Sequence, residues 1–328
     1  MLAGQPYILF TATFHSSFID EDIKILRKNF DVTTVIAKGW MVPILLLRNL
    51  FSADVTFSWF ASTYSSFLVS FAHFFGKKSI LILGGVDVAK EKDFHYGIWN
   101  SWWKSPIIRY GITHASIVLA VDPFLKHEAV RLARYPGDNI IIVPTGYDPE
   151  FWKPSGKKDE LVLTVASCPD LVRAKLKGID NLISIARKMP DVHFKIVGIN
   201  PSVASIFDVP PNVECRSFSS REEVRQLYQQ AKVYCQLSYR EGLPNALCEA
   251  MLCECIPIGT RVGGIPTAIG DAGFLVDYNN EKQTIAAIRK GLTMSPDDGM
   301  RARLRIASQF TLSQREEALK ETIAKIMQ

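Results

Sequence analysis

The chain has 328 residues and a formal net charge of +5, with 48% hydrophobic and 22% charged residues. This composition excludes an intrinsically disordered protein, and the length suffices for two domains that each bury a core. The charge is spread evenly, +2 over residues 1–154 and +3 over the remainder. An even spread excludes a dedicated polybasic nucleic-acid module, so we expect no nucleic-acid partner.

The cysteines and the apolar runs indicate the compartment. All six cysteines lie in the second half, without the spacing of a zinc site, and we expect free thiols in a reducing cytosol. The sequence does not open with a signal-peptide pattern. Its most apolar run, residues 40–47, is too short to cross a bilayer and contains proline. The expected location is cytoplasmic.

Strand-like and helix-like runs alternate through the first half. Amphipathic segments such as 21–29 and 62–75 separate the apolar runs, a pattern typical of a parallel sheet built from βαβ units. A turn-rich stretch, residues 144–154, is the best candidate for a linker. Six strands are predicted, at 7–14, 32–36, 55–57, 79–83, 117–120 and 140–143.

A second alternating series follows the linker. Ser220 with Glu223, and Ser313 with Glu316, form two capping-box patterns, the second of them opening the terminal helix. The pattern as a whole predicts two Rossmann-like α/β domains that face a cleft. The six strands of this series are predicted at 161–166, 194–198, 213–216, 233–237, 256–258 and 274–276.

Residues 238–251 carry the most informative motif, Ser-Tyr-Arg-Glu-Gly-Leu-Pro-Asn-Ala-Leu-Cys-Glu-Ala-Met. It follows a predicted strand and runs through a tight turn into a helix, so Glu241 falls in the loop and Glu249 one to two turns into the helix. The backbone N–H groups at the start of this helix, at Asn245, Ala246 and Leu247, and the helix dipole together suit a phosphate. The segment therefore offers an anion site between two carboxylates that accept hydrogen bonds from sugar hydroxyls.

The arrangement Glu-x7-Glu within E-G-L-P-N-A-L-C-E-A-M resembles the signature of the GT4-type retaining glycosyltransferases. The resemblance implies the GT-B fold: an acceptor-binding domain at residues 1–153 and a nucleotide-sugar-binding domain at 154–308. Segment 309–328 is then expected to form a helix that packs back on the first domain. The similarity is strong in the second half and diffuse in the first.

The resemblance also implies roles for individual residues. Glu249 matches the carboxylate that binds the ribose, and Glu241 matches the one placed against the transferred sugar. Lys177 before Gly178 matches a Lys-Gly pair whose lysine stabilises the diphosphate leaving group. The family's arginine has no match by spacing, and either Arg173 or Lys175 is a candidate to replace it.

Glycines and turn residues complete the predicted donor site. In the family, the segment like Gly263-Gly264-Ile-Pro lies near the donor, although Thr267 stands here where a glutamate is usual. Glycine lets a backbone approach a ligand closely, but the same glycines also suit a simple turn. The further donor-binding candidates are Gly198, Gly242, Leu243 and Pro244.

The first half offers weaker candidates for the acceptor side. Asp87 follows a predicted strand and Gly84-Gly85, and it is either a catalytic polar group or a helix N-cap. Gly84, Gly85, His15 and His95 are weak candidate contacts to the acceptor or the sugar. His15 is equally well explained as a surface histidine, and His95 belongs to an aromatic cluster. The aromatic residues around His95 are interpreted as core, with sugar stacking and a membrane interface as the alternatives: Phe94, Tyr96, Trp99, Trp102 and Trp103.

The sequence thus predicts a retaining glycosyltransferase that moves a sugar from a UDP-, GDP- or ADP-sugar to a saccharide or lipid-linked acceptor by front-side displacement. No cofactor and no metal ion are implied. Two alternatives stay open: a non-catalytic sensor or scaffold that binds nucleotide sugars, and a nucleotide-sugar epimerase of the same fold. A peripheral contact with the inner face of a membrane is also left open, through residues 40–51 with the basic residues Lys38 and Arg48.

Overall fold

The computed structural model describes residues 5–37, 39, 42–217 and 220–328. Lys38, Trp40 and Met41, which belong to the predicted membrane-contact segment, lie outside the described residues. The chain divides into two compact units: unit 1 comprises Met1–Gly146 with Leu312–Gln328, and unit 2 comprises Tyr147–Thr311.

Unit 1 contains a six-stranded parallel sheet. The strands are β1 Tyr7–Ala12, β2 Asp31–Ile36, β3 Val55–Trp59, β4 Lys78–Leu83, β5 Ile117–Ala120 and β6 Ile140–Ile142. They lie in the order β2-β1-β3-β4-β5-β6. The central strands are almost wholly buried because helices cover both faces of such a sheet.

The helices of unit 1 form two layers. They are α1 Ser17–Asn29, α2 Val42–Leu50, α3 Thr63–Phe74, α4 Lys104–His114, α5 Pro123–Ala133 and, at the end of the chain, α14 Leu312–Met327. The terminal helix α14 packs beside α1, whereas α2, α3, α4 and α5 follow one another along the opposite layer, as right-handed crossovers require for this strand order. Short 3-10 turns lie at Val86–Val88 and Ile98–Asn100.

A second six-stranded parallel sheet forms the centre of unit 2. The strands are β7 Asp159–Cys168, β8 His193–Ile199, β9 Val213–Arg216, β10 Ala231–Gln236, β11 Ile256–Thr260 and β12 Phe274–Val276. They lie in the order β12-β11-β10-β7-β8-β9. The core of the unit includes strand residues such as Phe194 and Val233 and helix residues such as Leu182 and Ile288.

Eight helices are described in unit 2, and several begin where the sequence predicts. They are α6 Leu171–Leu176, α7 Ile179–Arg187, α8 Pro201–Ala204, α9 Arg221–Gln230, α10 Asn245–Leu252, α11 Ile265–Ile269, α12 Glu281–Thr293 and α13 Pro296–Gln309. Ser220 and Glu223 form the predicted capping box at the start of α9.

All twelve predicted strands are present, each within two residues of the predicted ends. The second predicted capping box is wrong, because α14 begins at Leu312 and Ser313 therefore lies inside the helix. Glu316 instead accepts hydrogen bonds from Lys28 and Asn29 of α1. Among the described residues, no helix combines the length and apolar character that a membrane span requires.

Candidate functional site

The strand order of unit 2 reverses between β7 and β10. From β7 the sheet continues through β8 to β9, and from β10 it continues the other way through β11 to β12. Open α/β sheets bind ligands at such a switch point, beyond the carboxyl ends of the two strands. Lys177 lies at the end of α6 in the connection after β7, and Glu241 lies in the loop after β10. The fold therefore brings two predicted site residues to the place where its topology favours a ligand.

Gly178 explains how these two connections come so close. Its φ is +70°, and a Cβ there would collide with the carbonyl oxygen of Leu237, just past β10. The backbone N–H of Tyr239 also donates to the carbonyl of Leu176, at 2.8 Å. The glycine after Lys177 is thus required by a close backbone approach, which sets the lysine beside the Glu241 loop.

The carboxylate of Glu241 is the centre of a hydrogen-bond network. Its Oε1 accepts from Lys177 Nζ at 2.5 Å, from Ser238 Oγ at 2.7 Å and from Gln236 Nε2 at 2.9 Å. The side chains of Lys177 and Glu241 are 19% and 11% exposed. This charge-assisted pair is mostly buried, yet both side chains keep some exposure to solvent.

Gln236 and Ser238 are not among the predicted site residues. Gln236 is oriented by the hydroxyl of Tyr234, which donates to its Oε1 at 3.1 Å, so its amide N–H₂ points to Ser238 and Glu241. The sequence signal for them is the alternation of polar residues 236 and 238 at the end of an apolar strand, and by itself that alternation indicates only a continuing strand.

The glycine pair of the next loop packs against the same segment. Gly263 has a φ of +52°, and a Cβ there would collide with the carbonyl oxygen of Glu241. The N–H of Gly264 donates to the carbonyl of Gly242 at 3.1 Å. These two glycines therefore support the Glu241 loop through backbone contacts, whatever further contact they make with a ligand.

Helix α10 opens directly after this loop. Pro244 is its N-cap residue and makes no side-chain cap, while Leu243 and Leu247 are buried apolar residues. Asn245 accepts a hydrogen bond from the hydroxyl of Tyr147 through its Oδ1, at 2.8 Å. The first N–H groups of this eight-residue helix, at Asn245 and Ala246 among others, lie where the sequence predicts an anion site, and binding of an anion there stays a prediction.

Glu249 lies one turn further along α10 and is partly buried. Burial raises the pKa of its carboxyl to about 8, although the guanidinium of Arg221 and the hydroxyl of Tyr228 oppose the rise. Arg221 is itself stacked on the rings of Phe151 and Trp152, at 4.4 and 5.3 Å from their centroids. Glu249 therefore differs from Glu241, whose carboxylate is bonded directly by a lysine.

The two candidate cations before Lys177 have different surroundings. Arg173 is partly buried, and together with Lys177 it lowers the pKa of the Cys168 thiol against the larger effect of burial, which raises it to about 11. Lys175 is exposed on the outer side of α6. Arg173 is accordingly the better placed of the two alternatives to share the charge of a ligand beside Lys177.

Gly198 lies at the end of β8, with a φ of +93°. A Cβ at this position would collide with the carbonyl oxygen of Ala166 on the neighbouring strand β7. The glycine is thus required by strand packing, and its predicted contact with a donor remains a prediction.

In unit 1, Asp87 is buried and its carboxylate is bonded to the backbone. The N–H groups of Ala61, Gly84 and Gly85 donate to it at 2.7–3.2 Å. Burial raises the pKa of this carboxyl, and the backbone hydrogen bonds lower it in part. Gly84 packs directly against the ring of Phe60. The carboxylate therefore ties the loop after β4 to the loop after β3, and its predicted catalytic role is untested.

The remaining predicted residues of unit 1 lie at the surface. His15 is exposed and contacts Asp20 at 3.2 Å, and His95 is exposed in a turn with a φ of +48°. Of the tryptophans interpreted as core, Trp99 is buried and donates to the carbonyl of Asp87. For Trp102 and Trp103 that interpretation is wrong, since they are 86% and 49% exposed.

The acidic residues and the cysteines are the remaining candidates for metal ligands. The run Asp20-Glu21-Asp22 on α1 has its third residue buried, where Asp22 binds Arg315 and the indole N–H of Trp59. The six cysteines are free thiols. Within the described ranges, no three His, Cys, Asp or Glu side chains are grouped so that they could hold a metal ion.

Comparison with known proteins indicates the class of enzyme. Residues 150–309 match the family model described as "Glycosyl transferases group 1". The chain is 25% identical over 230 residues to N-acetyl-alpha-D-glucosaminyl L-malate synthase of Bacillus anthracis, covering 62% of this chain and 58% of that protein. It is 26% identical over 209 residues to a phosphatidylinositol N-acetylglucosaminyltransferase subunit of Homo sapiens, covering 61% and 43%. The chain thus spans about half the length of these curated relatives.

A solved structure extends the similarity to the whole fold. HepE of Anabaena, in complex with UDP and glucose, superposes with a TM-score of 0.78 at 13% identity, covering 98% of this chain and 99% of that one. The structural neighbours are GT-B glycosyltransferases, so the predicted GT-B fold is confirmed. The family match and the named relatives support the predicted class of enzyme, a glycosyltransferase.

Proposed function

We propose that this protein is a metal-independent, GT4-like retaining glycosyltransferase that transfers a sugar from a nucleotide-sugar donor to a saccharide or lipid-linked acceptor. The observation that carries the proposal is the pair of Lys177 and Glu241 at the switch point of the second sheet, beside the start of α10. This pair places a cation, a carboxylate and a helix N-terminus together, which are the groups a sugar diphosphate needs.

Lys177 and Glu241 neutralise each other as they are paired here. A donor diphosphate carries more negative charge than one carboxylate, so it replaces Glu241 as the partner of the lysine. Arg173 supplies a second cation, and the N–H groups of Asn245 and Ala246 supply dipoles. Charge that develops on the leaving diphosphate during transfer is then stabilised by groups already aimed at it.

Release of the lysine leaves Glu241 available to the transferred sugar. Its Oε1 keeps the hydrogen bonds from Gln236 and Ser238, which hold the carboxylate in place while it accepts from a sugar hydroxyl. Glu249 binds the ribose hydroxyls. Both carboxylates thus bind and position the donor, and neither attacks the sugar.

The reaction proceeds by front-side displacement. The acceptor hydroxyl approaches the anomeric carbon from the side that the diphosphate leaves, and its proton passes to the departing phosphate oxygen. The anomeric configuration of the donor is therefore retained in the product, which nuclear magnetic resonance of the product reports directly.

The relatives suggest which donors and acceptors to test first. UDP is the first choice of nucleotide because HepE is described in complex with UDP and glucose. The human phosphatidylinositol N-acetylglucosaminyltransferase subunit favours N-acetylglucosamine as a sugar to include, together with a lipid-linked acceptor. We place the activity in the cytoplasm.

The experiment is calorimetric and thermal-shift binding of UDP, GDP and ADP and of their glucose, mannose and N-acetylglucosamine derivatives. Binding of one nucleotide series that is lost in both Lys177→Ala and Glu249→Ala supports the proposed site. A folded protein that binds no member of the series would overturn the proposal.

One feature favours a second candidate, a sensor that binds nucleotide sugars without turnover. Arg173 precedes Lys177 by four residues, whereas about five or six separate the corresponding residues in the family it resembles. Incubation of the bound donor with a panel of saccharide and lipid acceptors discriminates the two. Release of free nucleotide with any acceptor supports the transferase, and tight binding without release across the panel supports the sensor.

A further inference from the structure

The outer layer of unit 1 carries an exposed aromatic strip, defined as Trp102, Trp103, Tyr110, Phe74, Phe75 and Phe51. Trp102, Phe74 and Phe51 are 86%, 80% and 62% exposed. Large aromatic side chains seldom stand this far into solvent in a monomeric protein, and a continuous group of them marks an interaction surface.

Ring contacts connect part of the strip and involve three elements. Tyr110 stacks on His114 of α4 at 3.9 Å, and His114 meets His73 of α3 at 5.9 Å. Phe75 contacts Phe74 at 5.1 Å and Phe51, which follows α2, at 5.3 Å. The contacts join Phe51, Phe74 and Phe75 into one group, and they link Tyr110 to His73, which precedes Phe74 in α3. Trp102 and Trp103 extend the strip at the start of α4, the helix that carries Tyr110.

The phase of α4 explains why this face stays uncovered. Ile108, Gly111 and Ile112 are buried, and Gly111 lies directly against Ser66 of α3. Tyr110 and Trp103 lie on the opposite face with the exposed Ile107. They are three residues after it and four residues before it, the spacing of neighbours on one face of a helix. The core of unit 1 is thus complete without the strip, so folding alone does not account for its aromatic residues.

Charge identifies the partner. Segments 32–53, 55–86 and 94–121, which hold all three elements, contain no Asp or Glu. Asp54, between the first two segments, accepts a hydrogen bond from the backbone N–H of Tyr7.

Cations are present on the same surface. Lys104 lies over the ring of Trp103 at 5.1 Å. Arg48, Lys78 and Arg109 are exposed on the same elements or beside them.

We propose that the aromatic strip docks unit 1 on a lipid bilayer that contains anionic phospholipids. Aromatic rings insert at the level of the lipid headgroups, while lysine and arginine bind their phosphates. A second copy of the chain is a poorer occupant, since pairing two identical strips would bring their cations together, and the three segments that carry the strip supply no acid to pair with them.

The test is flotation of the purified full chain with phosphatidylcholine vesicles, with and without phosphatidylglycerol, at low and high salt. We expect binding that requires phosphatidylglycerol and weakens with salt. Trp102→Ser with Phe74→Ser should lower the partition coefficient at least about tenfold. Lys104→Ser with Arg109→Ser should lower it about 25-fold, because each cation contributes about fivefold.

A matched control is available in unit 2, where Met300 and Leu304 are exposed apolar residues of α13. Met300→Ser with Leu304→Ser should leave partitioning unchanged. Circular dichroism checks that every variant is folded, which is expected because the replaced side chains face solvent.

Three results would overturn the proposal: no binding to phosphatidylglycerol vesicles at low salt, equal binding by the strip variant, or a dimer in lipid-free solution that the strip substitutions dissociate. The last outcome would assign the strip to a second copy. No sugar donor is needed in this experiment, so its failure leaves the proposed transferase activity standing.

Discussion

Two ion pairs, one in each unit, join segments that are far apart in the sequence, and they differ in how completely they are enclosed. In unit 1, the side chains of Asp22 and Arg315 are 4% and 1% exposed, and the guanidinium bonds both carboxylate oxygens at 3.0 and 2.7 Å. In unit 2, Glu241 and Lys177 remain 11% and 19% exposed and meet through a single carboxylate oxygen.

The difference lies in the number of alternative partners that each charge has. Trp59 donates to Asp22, and the carbonyl of Val143 accepts from Arg315, so every change at this pair leaves a buried group unsatisfied. Lys177 is a flexible ammonium at the edge of a site, and another anion can take the place of Glu241. A structural pair is thus fully buried and has every polar group bonded, whereas a pair that can open for a ligand is partly exposed and can change partner.

Arg315→Ala should give the largest effect, a loss of about 3–5 kcal/mol in the free energy of unfolding, because Asp22 is left as a buried charge without its partner. For a unit of this size, calorimetry should show a melting temperature lower by about 10 °C. Lys320→Ala is the control on the same helix, where an exposed pair with Glu317 contributes little. Equal effects of the two substitutions would contradict the structural assignment of the Asp22 pair.

Lys177→Ala should weaken ligand binding and leave stability almost unchanged, the opposite of Arg315→Ala. We expect the Kd for UDP to rise about 10- to 100-fold, as for the loss of a hydrogen bond to a charged group, while the melting temperature changes little. Lys157→Ala, an exposed lysine of the same unit, is the control and should bind UDP normally. A melting temperature that falls as far as in Arg315→Ala, with unchanged UDP affinity, would make this pair structural too.

Asp87→Asn tests a second carboxylate that follows a parallel strand, as Glu241 does, but that is bonded to the backbone and not to a lysine. Its partners are three backbone N–H groups, all of them donors. The amide nitrogen of asparagine would face one of these donors, so the free energy of unfolding should fall by about 1–3 kcal/mol. We expect thermal unfolding a few degrees lower, with unchanged donor binding and turnover. Lost turnover at unchanged stability would instead support the predicted catalytic role of Asp87.

The features that sequence predicts correctly are those that depend on local pattern. Alternating apolar runs located all twelve strands, and the motif around Glu241 together with Lys177-Gly178 named two residues that the fold brings into contact, whose role in a donor site stays a prediction. Each of these signals lies within about fifteen residues of chain, where side-chain period and turn chemistry are decisive.

What the sequence does not predict depends on contacts between distant segments. The pairing of Glu241 with Lys177 joins residues 64 apart in the chain and depends on Gly178 lying against Leu237, which no local pattern encodes. The bonds of Gln236 and Ser238 to Glu241 lie within one segment, but they depend on the fold of the loop after β10, which strand alternation does not specify. The core assignment of Trp102 is wrong for a related reason: only the packing of α4 on α3 decides which side of that helix faces solvent.

Glu249 should give an effect that depends on pH, in both stability and binding. Its pKa of about 8 exceeds the ordinary value of 4.5, because burial penalises the charged form. The folded protein therefore holds a proton that the unfolded chain releases above pH 4.5, and this carboxyl lowers stability progressively as the pH rises from 4.5 to 8. Glu249→Gln should consequently lose less stability than the wild type between about pH 6 and pH 9, as followed by chemical denaturation.

The affinity for UDP should rise with pH, whereas the contribution of Glu249 to stability falls. Two ribose hydroxyls donate best to an ionised carboxylate, so the wild-type affinity should increase up to about tenfold between pH 7 and pH 9 as Glu249 ionises. The terminal phosphate titrates near pH 6 and stays ionised over this range. Calorimetry on Glu249→Gln should give weaker binding with a flat profile, whereas a flat wild-type profile would show that Glu249 does not bind the nucleotide as a carboxylate. Glu241 is expected to exchange one charged partner for another when the donor binds. Glu249 is instead expected to lose its proton and become charged as the ligand binds. The pH dependence of UDP binding distinguishes these two ways of binding a donor.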